Sequence, residues 1–303
     1  MQNILSRTES LTTAATSVVT SRVRELAPPA WAMELCGERF SLATARVADV
    51  PGLTPRQLED QSFAAYVRLA EQIAQSPHRH AVRFWNHVPF ITDAADATRD
   101  NYMVFNAGRF RAFSELFGGA ARFERDIATA SATGHWGRDL VIHCLSTDAA
   151  GHAVNNPRQV APYHYSQRFG PLPPCFARAT RLDHPQGLLL VGGTASVRGE
   201  DSVHADDLTA QLRETFVNLA VLIGAAIGQK LTPATRLDRW LAAFRELRVY
   251  FPNRDHAGPI DAAIRERFAG LRRAEFLHAD LCRADLLVEI EGVADLSELK
   301  RST

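Results

Sequence analysis

The chain is poor in the features that mark specialised chemistry. Four cysteines occur in 303 residues (Cys36, Cys144, Cys175 and Cys282), with no CxxC pair and no histidine at ligand spacing. That excludes a zinc finger and a disulfide-stapled scaffold, and reduced thiols in a cytoplasmic protein are the expectation. Net charge is also missing: 34 Lys plus Arg stand against 34 Asp plus Glu. A nucleic-acid partner is therefore excluded, because such binding needs a basic face that displaces counterions. No apolar run approaches the ~20 residues of a membrane span. The longest, LAVLIGAAIG at 219–228, ends an amphipathic stretch and reads as a buried helix end. Residues 1–26 lack the apolar centre of a secretory signal and carry Glu9 and Glu25. Neither a membrane nor a metal is expected. GxGxxG, P-loop, HExxH and GxSxG motifs are absent, as are internal repeats and low-complexity segments.

What remains is an ordinary folded composition, 46% hydrophobic and 22% charged, over a length worth about two domains. Residues 54–76 carry a Thr-Pro start and apolar positions at three- and four-residue spacing, which predicts a helix. HAVRFWNHVPFI (80–91) predicts a strand. Residues 99–117 return to helical spacing, capped by Asp100, with Tyr102, Phe105, Arg109 and Phe113 on one face. The centre reads as strand-rich, with RDLVIHCLS (138–146), then RQVAPYHYS (158–166), then a proline-rich bend into a further strand. LLLVGGTASV (188–197) predicts a buried strand ending at Gly192 and Gly193, and Asp206 and Asp207 cap a long helix. FRELRVYFP predicts a strand and PIDAAIRERFAGL a helix. AEFLHADL and DLLVEIEGV predict a final strand pair joined by a Cys-Arg-Ala-Asp turn. From about 187 onward the pattern is one α/β unit with two helices on a mixed sheet, and the region before it is α+β.

Three groups of residues carry possible chemistry. Strand alternation in DLLVEIEGV puts Glu289 and Glu291 on one face. A carboxyl on an apolar strand has its pKa raised by desolvation, which suits a general acid; the competing reading is an exposed edge strand with solvated carboxylates. Tyr102 and Arg109 are seven residues apart on one helix face and suit the grip of a carboxylate, as do Tyr165 and Arg178. For each arginine the competing reading is a surface residue or a structural ion pair. Gly192-Gly193 fits a turn or a close backbone approach, and His78, His80 and His164 read as structural.

These blocks resemble a known family. GTASVRGEDSVHADDLTAQLRETFVNLAVLIGAA, ELRVYFPNRD and CRADLLVEIEGVA resemble the YjgF-like (Rid) superfamily, where a Gln and an Asn recur along the long helix (here Gln211 and Asn218) and a Glu in the last strand lines the cleft (Glu289). RFWNHVPFI, YMVFNAGRFRAF, SATGHWG, NNPRQVAPYHY, FGPLPPCFARA, LLVGGTAS and CRADLLVEIEG resemble, in order, successive blocks of the chorismatases, over roughly residues 80–295. The resemblance implies an α/β (α+β) protein of mixed sheets with packed helices. A related or accessory N-terminal α+β domain (1–150) would join a C-terminal YjgF-like domain (151–303), with the active site in the cleft between them.

It also implies an enzyme that removes the enolpyruvyl group of chorismate as pyruvate and leaves 3- or 4-hydroxybenzoate, with no cofactor. Glu289 carries over as the catalytic acid, and Tyr102, Arg109, Tyr165 and Arg178 as substrate ligands. Ala195 and Cys282 carry over as product-determining positions. A small Ala resembles the hydrolytic subgroup, whose product is a dihydroxycyclohexadiene carboxylate, whereas Cys resembles the hydroxybenzoate-forming one. His135 and Trp136 make SATGHWG bulkier than the small-residue loop expected there. The alternatives are a Rid-type enamine/imine deaminase and a non-catalytic ligand-binding homologue. The deaminase pattern wants an Arg about 15 residues before the strand Glu, where this chain has Ala274 beside Arg273. The expected assembly is a monomer or small homo-oligomer.

Overall fold

The computed structural model describes residues 26–183, 187–232 and 235–300; the N-terminal stretch that carries Glu9 and Glu25 lies outside them. A short helix α1 (Ala30–Leu35) precedes strand β1 (Phe40–Val47), helix α2 (Pro55–Ala74), β2 (His80–Pro89) and helix α3 (Asn101–Phe117). Thr54 caps α2 through a reciprocal box with Gln57, and the Asp100 side chain accepts from the Met103 N–H at the start of α3. Such caps contribute about 1 kcal/mol each. β3 (Thr129–His135) and β4 (Leu140–Thr147) complete a four-stranded sheet of order β1-β4-β2-β3, on which α2 and α3 bury Tyr66, Leu69, Phe105 and Phe113.

The second sheet has order β11-β10-β12-β7-β6-β5, formed from β5 (His152–Val154), β6 (Ala179–Arg181), β7 (Leu188–Thr194), β10 (Phe244–Phe251), β11 (Arg273–His278) and β12 (Glu289–Asp295). A two-residue ladder, β8 (Val197–Arg198) with β9 (Asp201–Ser202), follows β7. Helix α4 (Leu208–Ala226), capped by Asp207, and helix α5 (Ala257–Arg267) pack on this sheet through Leu212, Phe216, Leu219, Ile223, Ile260 and Ile264. The two sheets meet where Thr129 at the start of β3 bridges Ala177, and where the Gly193 N–H donates to Ser131 Oγ at 2.8 Å.

Several local expectations need correction. Residues 158–166 are not a strand: Pro162 starts a single 3₁₀ turn, Pro162–His164, in an extended connection. SATGHWG is not a loop, because its first five residues are buried β3, parallel to β2. β7 runs through Gly192 and Gly193 to Thr194 rather than ending at them. β11 and β12 do not pair: β10 lies between them, parallel to β11 and antiparallel to β12. The short connection steps over one strand instead of joining neighbours, and that places β12 at the centre of the sheet. The exposed-edge reading of Glu289 and Glu291 therefore fails, and both carboxyls are buried.

Candidate active site

A cavity of about 600 Å³ opens at the junction of the sheets. Its wall contains all seven residues singled out in the sequence: Tyr102 and Arg109 from α3, Tyr165 and Arg178 from the segment before β6, Ala195 after β7, Cys282, and Glu289 at the start of β12. His135 and Trp136 are not in the wall; β3 contributes Ala130, Ser131 and Ala132 instead, and Trp136 stacks on His278.

Glu289 sits against β7 at Gly193, where a Cβ would overlap its Oε1, so that the glycine makes the close approach possible. Burial pushes its carboxyl up to about 8, and the neighbouring Glu291 adds to the rise. Arg83, Arg178 and Arg283 oppose it without cancelling it. At neutral pH this side chain is a proton donor. Glu291, two residues on, is fully buried and ion-paired to Arg83 at 2.6 Å, and also accepts from Trp85 Nε1 at 2.8 Å and the Tyr250 hydroxyl at 3.1 Å.

Of the four arginines of the wall, Arg168 pairs with Glu200 at 2.9 Å and Asp201 at 2.6 Å, and the other three are different. Arg109 exposes no surface; its Nη2 donates to Asn106 Oδ1 at 2.6 Å, while Nε and Nη1 have no hydrogen-bond partner among the described residues. Arg178 Nη2 donates to the Tyr165 hydroxyl at 2.5 Å, and its Nε is likewise buried without a partner. Both guanidiniums lie over the Phe176 ring. A third, Arg283, donates to Glu200 O at 2.8 Å and lies over Phe169 at 4.1 Å. Among the described residues none of the three forms an ion pair, so each keeps its charge for an anion in the cavity. Burial also holds the Tyr102 phenol in its neutral, hydrogen-donating form, and pushes the Cys282 thiol up to about 12, with the Glu289 charge adding to the rise. Cys282 is thus a neutral thiol against the cavity and no nucleophile.

The long helix holds the wall in place. Gln211 of α4 donates to Asp285 O at 2.8 Å and accepts from the Leu287 N–H at 2.9 Å, fixing the segment that leads into Glu289. Asn218 donates to Ala195 O at 3.0 Å and Val197 O at 2.9 Å, fixing the turn that presents Ala195. Arg283, Phe176 and Ser131 were not singled out in the sequence. Arg283 stands beside Cys282 in the CRAD block, but only the folded 279–288 connection turns its side chain into the wall. Among the described residues no group of His, Cys, Asp and Glu is arranged to hold a metal ion, and no helix there is long and apolar enough to cross a membrane.

Comparison with known proteins shows the family. The family profile "Chorismatase FkbO/Hyg5-like, N-terminal" matches residues 35–146. A 3-hydroxybenzoate synthase of Streptomyces hygroscopicus is 34% identical over 243 residues, 76% of this chain and 68% of the relative. A chorismatase of Streptomyces rapamycinicus is 32% identical over 289 residues, 90% of this chain and 84% of the relative. The chain belongs to the chorismatase family. A crystal structure of a chorismatase, 26% identical, superposes with a TM-score of 0.73 over 85% of this chain and 75% of the other. For a chorismatase, the position of Arg273 matters: it pairs with Glu34 at 2.8 Å and Glu246 at 2.9 Å and is absent from the cavity wall. The arginine that the deaminase pattern would need is therefore not supplied from there.

Proposed function

We propose that the protein converts chorismate to pyruvate and a hydroxybenzoate in the cleft between its halves, 1–150 and 151–303. The observation that carries this reading is a buried Glu289, its carboxyl pushed up to about 8, in a cavity where three of the four wall arginines, Arg109, Arg178 and Arg283, have no carboxylate of their own. Chorismate is a dianion with carboxylates at its two ends. Arg109 with Tyr102 takes one carboxylate, Arg178 with Tyr165 the other, and Arg283 adds positive charge on the Phe169 side. Two-point anchoring of this kind fixes the reacting carbon against the acid and supplies much of the rate.

Glu289 protonates the methylene carbon of the enol ether, and the positive charge that develops is shared with the ether oxygen as an oxocarbenium ion. The C3–O bond then breaks and the ether oxygen leaves as the ketone of pyruvate. Attack of the ring 4-hydroxyl on C3 gives an epoxide, which opens to 3-hydroxybenzoate with loss of a ring proton. Loss of the C4 proton instead gives 4-hydroxybenzoate. Either route returns one proton for the one consumed, and neither involves net oxidation or reduction. Ala195 and Cys282 flank the ring and set the choice between routes. Small Ala195 also keeps a second outcome in play, addition of water to give the dihydroxycyclohexadiene carboxylate.

The test is incubation of the purified protein with chorismate, with pyruvate coupled to lactate dehydrogenase and the ring products resolved by chromatography. Pyruvate in equal yield with an aromatic product is expected, and Glu289→Gln should lower turnover by ~10³-fold or more while still binding chorismate. Wild-type protein that releases no pyruvate, or a Glu289→Gln variant at wild-type rate, overturns the assignment.

A further inference from the structure

Beneath Glu289 lies a polar cluster that the reaction as written does not use. Glu291 is held by four donors from three elements: Arg83 and Trp85 of β2, Ser131 of β3 and Tyr250 of β10. Ser131 has a single hydroxyl proton and its direction is settled by its neighbours. Its oxygen accepts from Arg83 Nη2 at 2.5 Å and from the Gly193 N–H at 2.8 Å, so the proton goes to Glu291 Oε2, 2.5 Å away. Gly193 is in turn the residue against which the Glu289 carboxyl rests. Glu291 thus reaches Glu289 by two routes: through Ser131 and Gly193, and through space along one strand face, where residues i and i+2 lie about 7 Å apart.

We propose that Glu291, with Arg83 and Ser131, is a positioning set for Glu289: its negative charge keeps the proton on the acid, and Ser131 fixes the glycine seat from which that proton is delivered. A buried ion pair in place of apolar packing contributes little or nothing to stability, whereas a charge of fixed sign beside the acid has a direct use. The charged and titratable groups facing Glu289 are Glu291 on its own strand, Tyr250 opposite it on β10, Arg83 from β2, Arg178 from the segment before β6, Arg283 and Cys282 from the connection before β12, and Tyr102 from α3. Among them Glu291 is the carboxylate neighbour that opposes loss of the proton, and Arg83 the cation nearest to Glu291. Removing each should therefore move Glu289 in opposite directions, which a merely structural ion pair would not do.

The inference rests on Glu289 as the acid, and its test is read in two ways. The pH dependence of kcat/KM for pyruvate release reports the free enzyme. In parallel, the infrared carboxyl band of Glu289, assigned by its loss in Glu289→Gln, is titrated without substrate. Glu291→Gln should move the alkaline limb and the band midpoint to lower pH by ~1 unit or more, and Arg83→Gln should move both to higher pH. Ser131→Ala should lower kcat with KM and midpoint little changed. Loss of one partner of a buried pair is destabilising, so a double Arg83→Met/Glu291→Gln variant stands behind the singles, with its midpoint expected below that of the wild type and above that of Glu291→Gln. Should both singles fail to fold, the double is compared with the wild type alone. A midpoint unchanged in a folded charge variant, or displaced the same way by both singles, overturns the proposal. Because the band titration needs no turnover, a protein inactive on chorismate would refute the reaction and leave this result standing.

Discussion

Arg83 and Arg109 are both arginines with no exposed surface, and they differ in what faces them. Arg83, under the cleft, meets Glu291 at 2.6 Å, Ser131 Oγ and the Phe84 carbonyl. Arg109, in the cleft wall, meets Asn106 and two aromatic faces but no carboxylate among the described residues. A guanidinium cannot shed its proton on burial, so its charge must be met inside the protein or by something that enters. The first region settles its charge internally and serves the fold and the acid beside it. The second leaves part of its charge unmet, and that deficit is the binding energy available to a dianionic substrate.

The sharpest way to break this comparison is to remove each cation in turn. Arg109→Met should raise KM for chorismate by ~100-fold or more, the loss of two charge-assisted hydrogen bonds, while the unfolding midpoint stays at or above that of the wild type. Arg83→Met should do the reverse in kind: a loss of about 3–5 kcal/mol in stability, since Glu291 is left buried and unpaired, with KM little altered in whatever remains folded. Urea unfolding and initial-rate kinetics on the two variants decide it. Equal effects on both quantities in both variants would erase the distinction between the regions.

A smaller effect separates Glu289 from an ordinary carboxylate. Its pKa of about 8 in the folded protein lies above the ordinary 4.5. Below pH 4.5 the group is protonated in both states and costs nothing. From 4.5 to 8 only the unfolded chain releases the proton, so stability falls as pH rises; above 8 the loss is complete. A glutamine amide at the same position does not titrate. Glu289→Gln should therefore be more stable than the wild type by up to about 3 kcal/mol at pH 7, at about 1.4 kcal/mol per unit, and the advantage should vanish near pH 4. Thermal unfolding across that range measures it. A stability gap that does not change with pH would return Glu289 to the ordinary carboxylates.

The same contrast explains what the sequence made legible. Helices α2 and α3 and strands β2 and β10 were readable because periodicity and caps are local. That seven residues would share one cavity was readable too: Tyr102 and Arg109 from seven-residue helical spacing, Glu289 from strand alternation, Tyr165 and Arg178 as a second carboxylate grip, and Ala195 and Cys282 from family resemblance. The relation of β11 to β12 was not, because a short connection is compatible with pairing or with flanking β10, and long-range register alone decides. For the same reason the alternation that put Glu289 and Glu291 on one face could not say whether that face was solvent or core. Arg283 was hidden in plain view, since its side-chain direction depends on an extended connection pinned by Gln211 from a distant helix.

The smallest effect lies where the wall is apolar and carries no formal charge. Ala195 is held by its carbonyl to Asn218, and Cys282 presents a neutral thiol whose pKa is pushed up to about 12. In the proposed reaction neither enters the protonation step, so neither should change the rate of pyruvate release by more than about threefold. In that reaction both shape the space around the ring after pyruvate departs, when attack by the 4-hydroxyl, loss of a ring proton and addition of water compete to quench one cation. Cys282→Ala removes a sulfur's width and admits water, and should raise the share of the dihydroxycyclohexadiene carboxylate at the expense of hydroxybenzoate by about tenfold, the low end of what a single buried group in an apolar pocket contributes. Chromatography of the products at matched pyruvate yield reads the ratio. A fall in pyruvate release itself, with the ratio unchanged, would move Cys282 out of the partition step and place it with Glu289 in proton delivery, where the charged region rather than the apolar one governs.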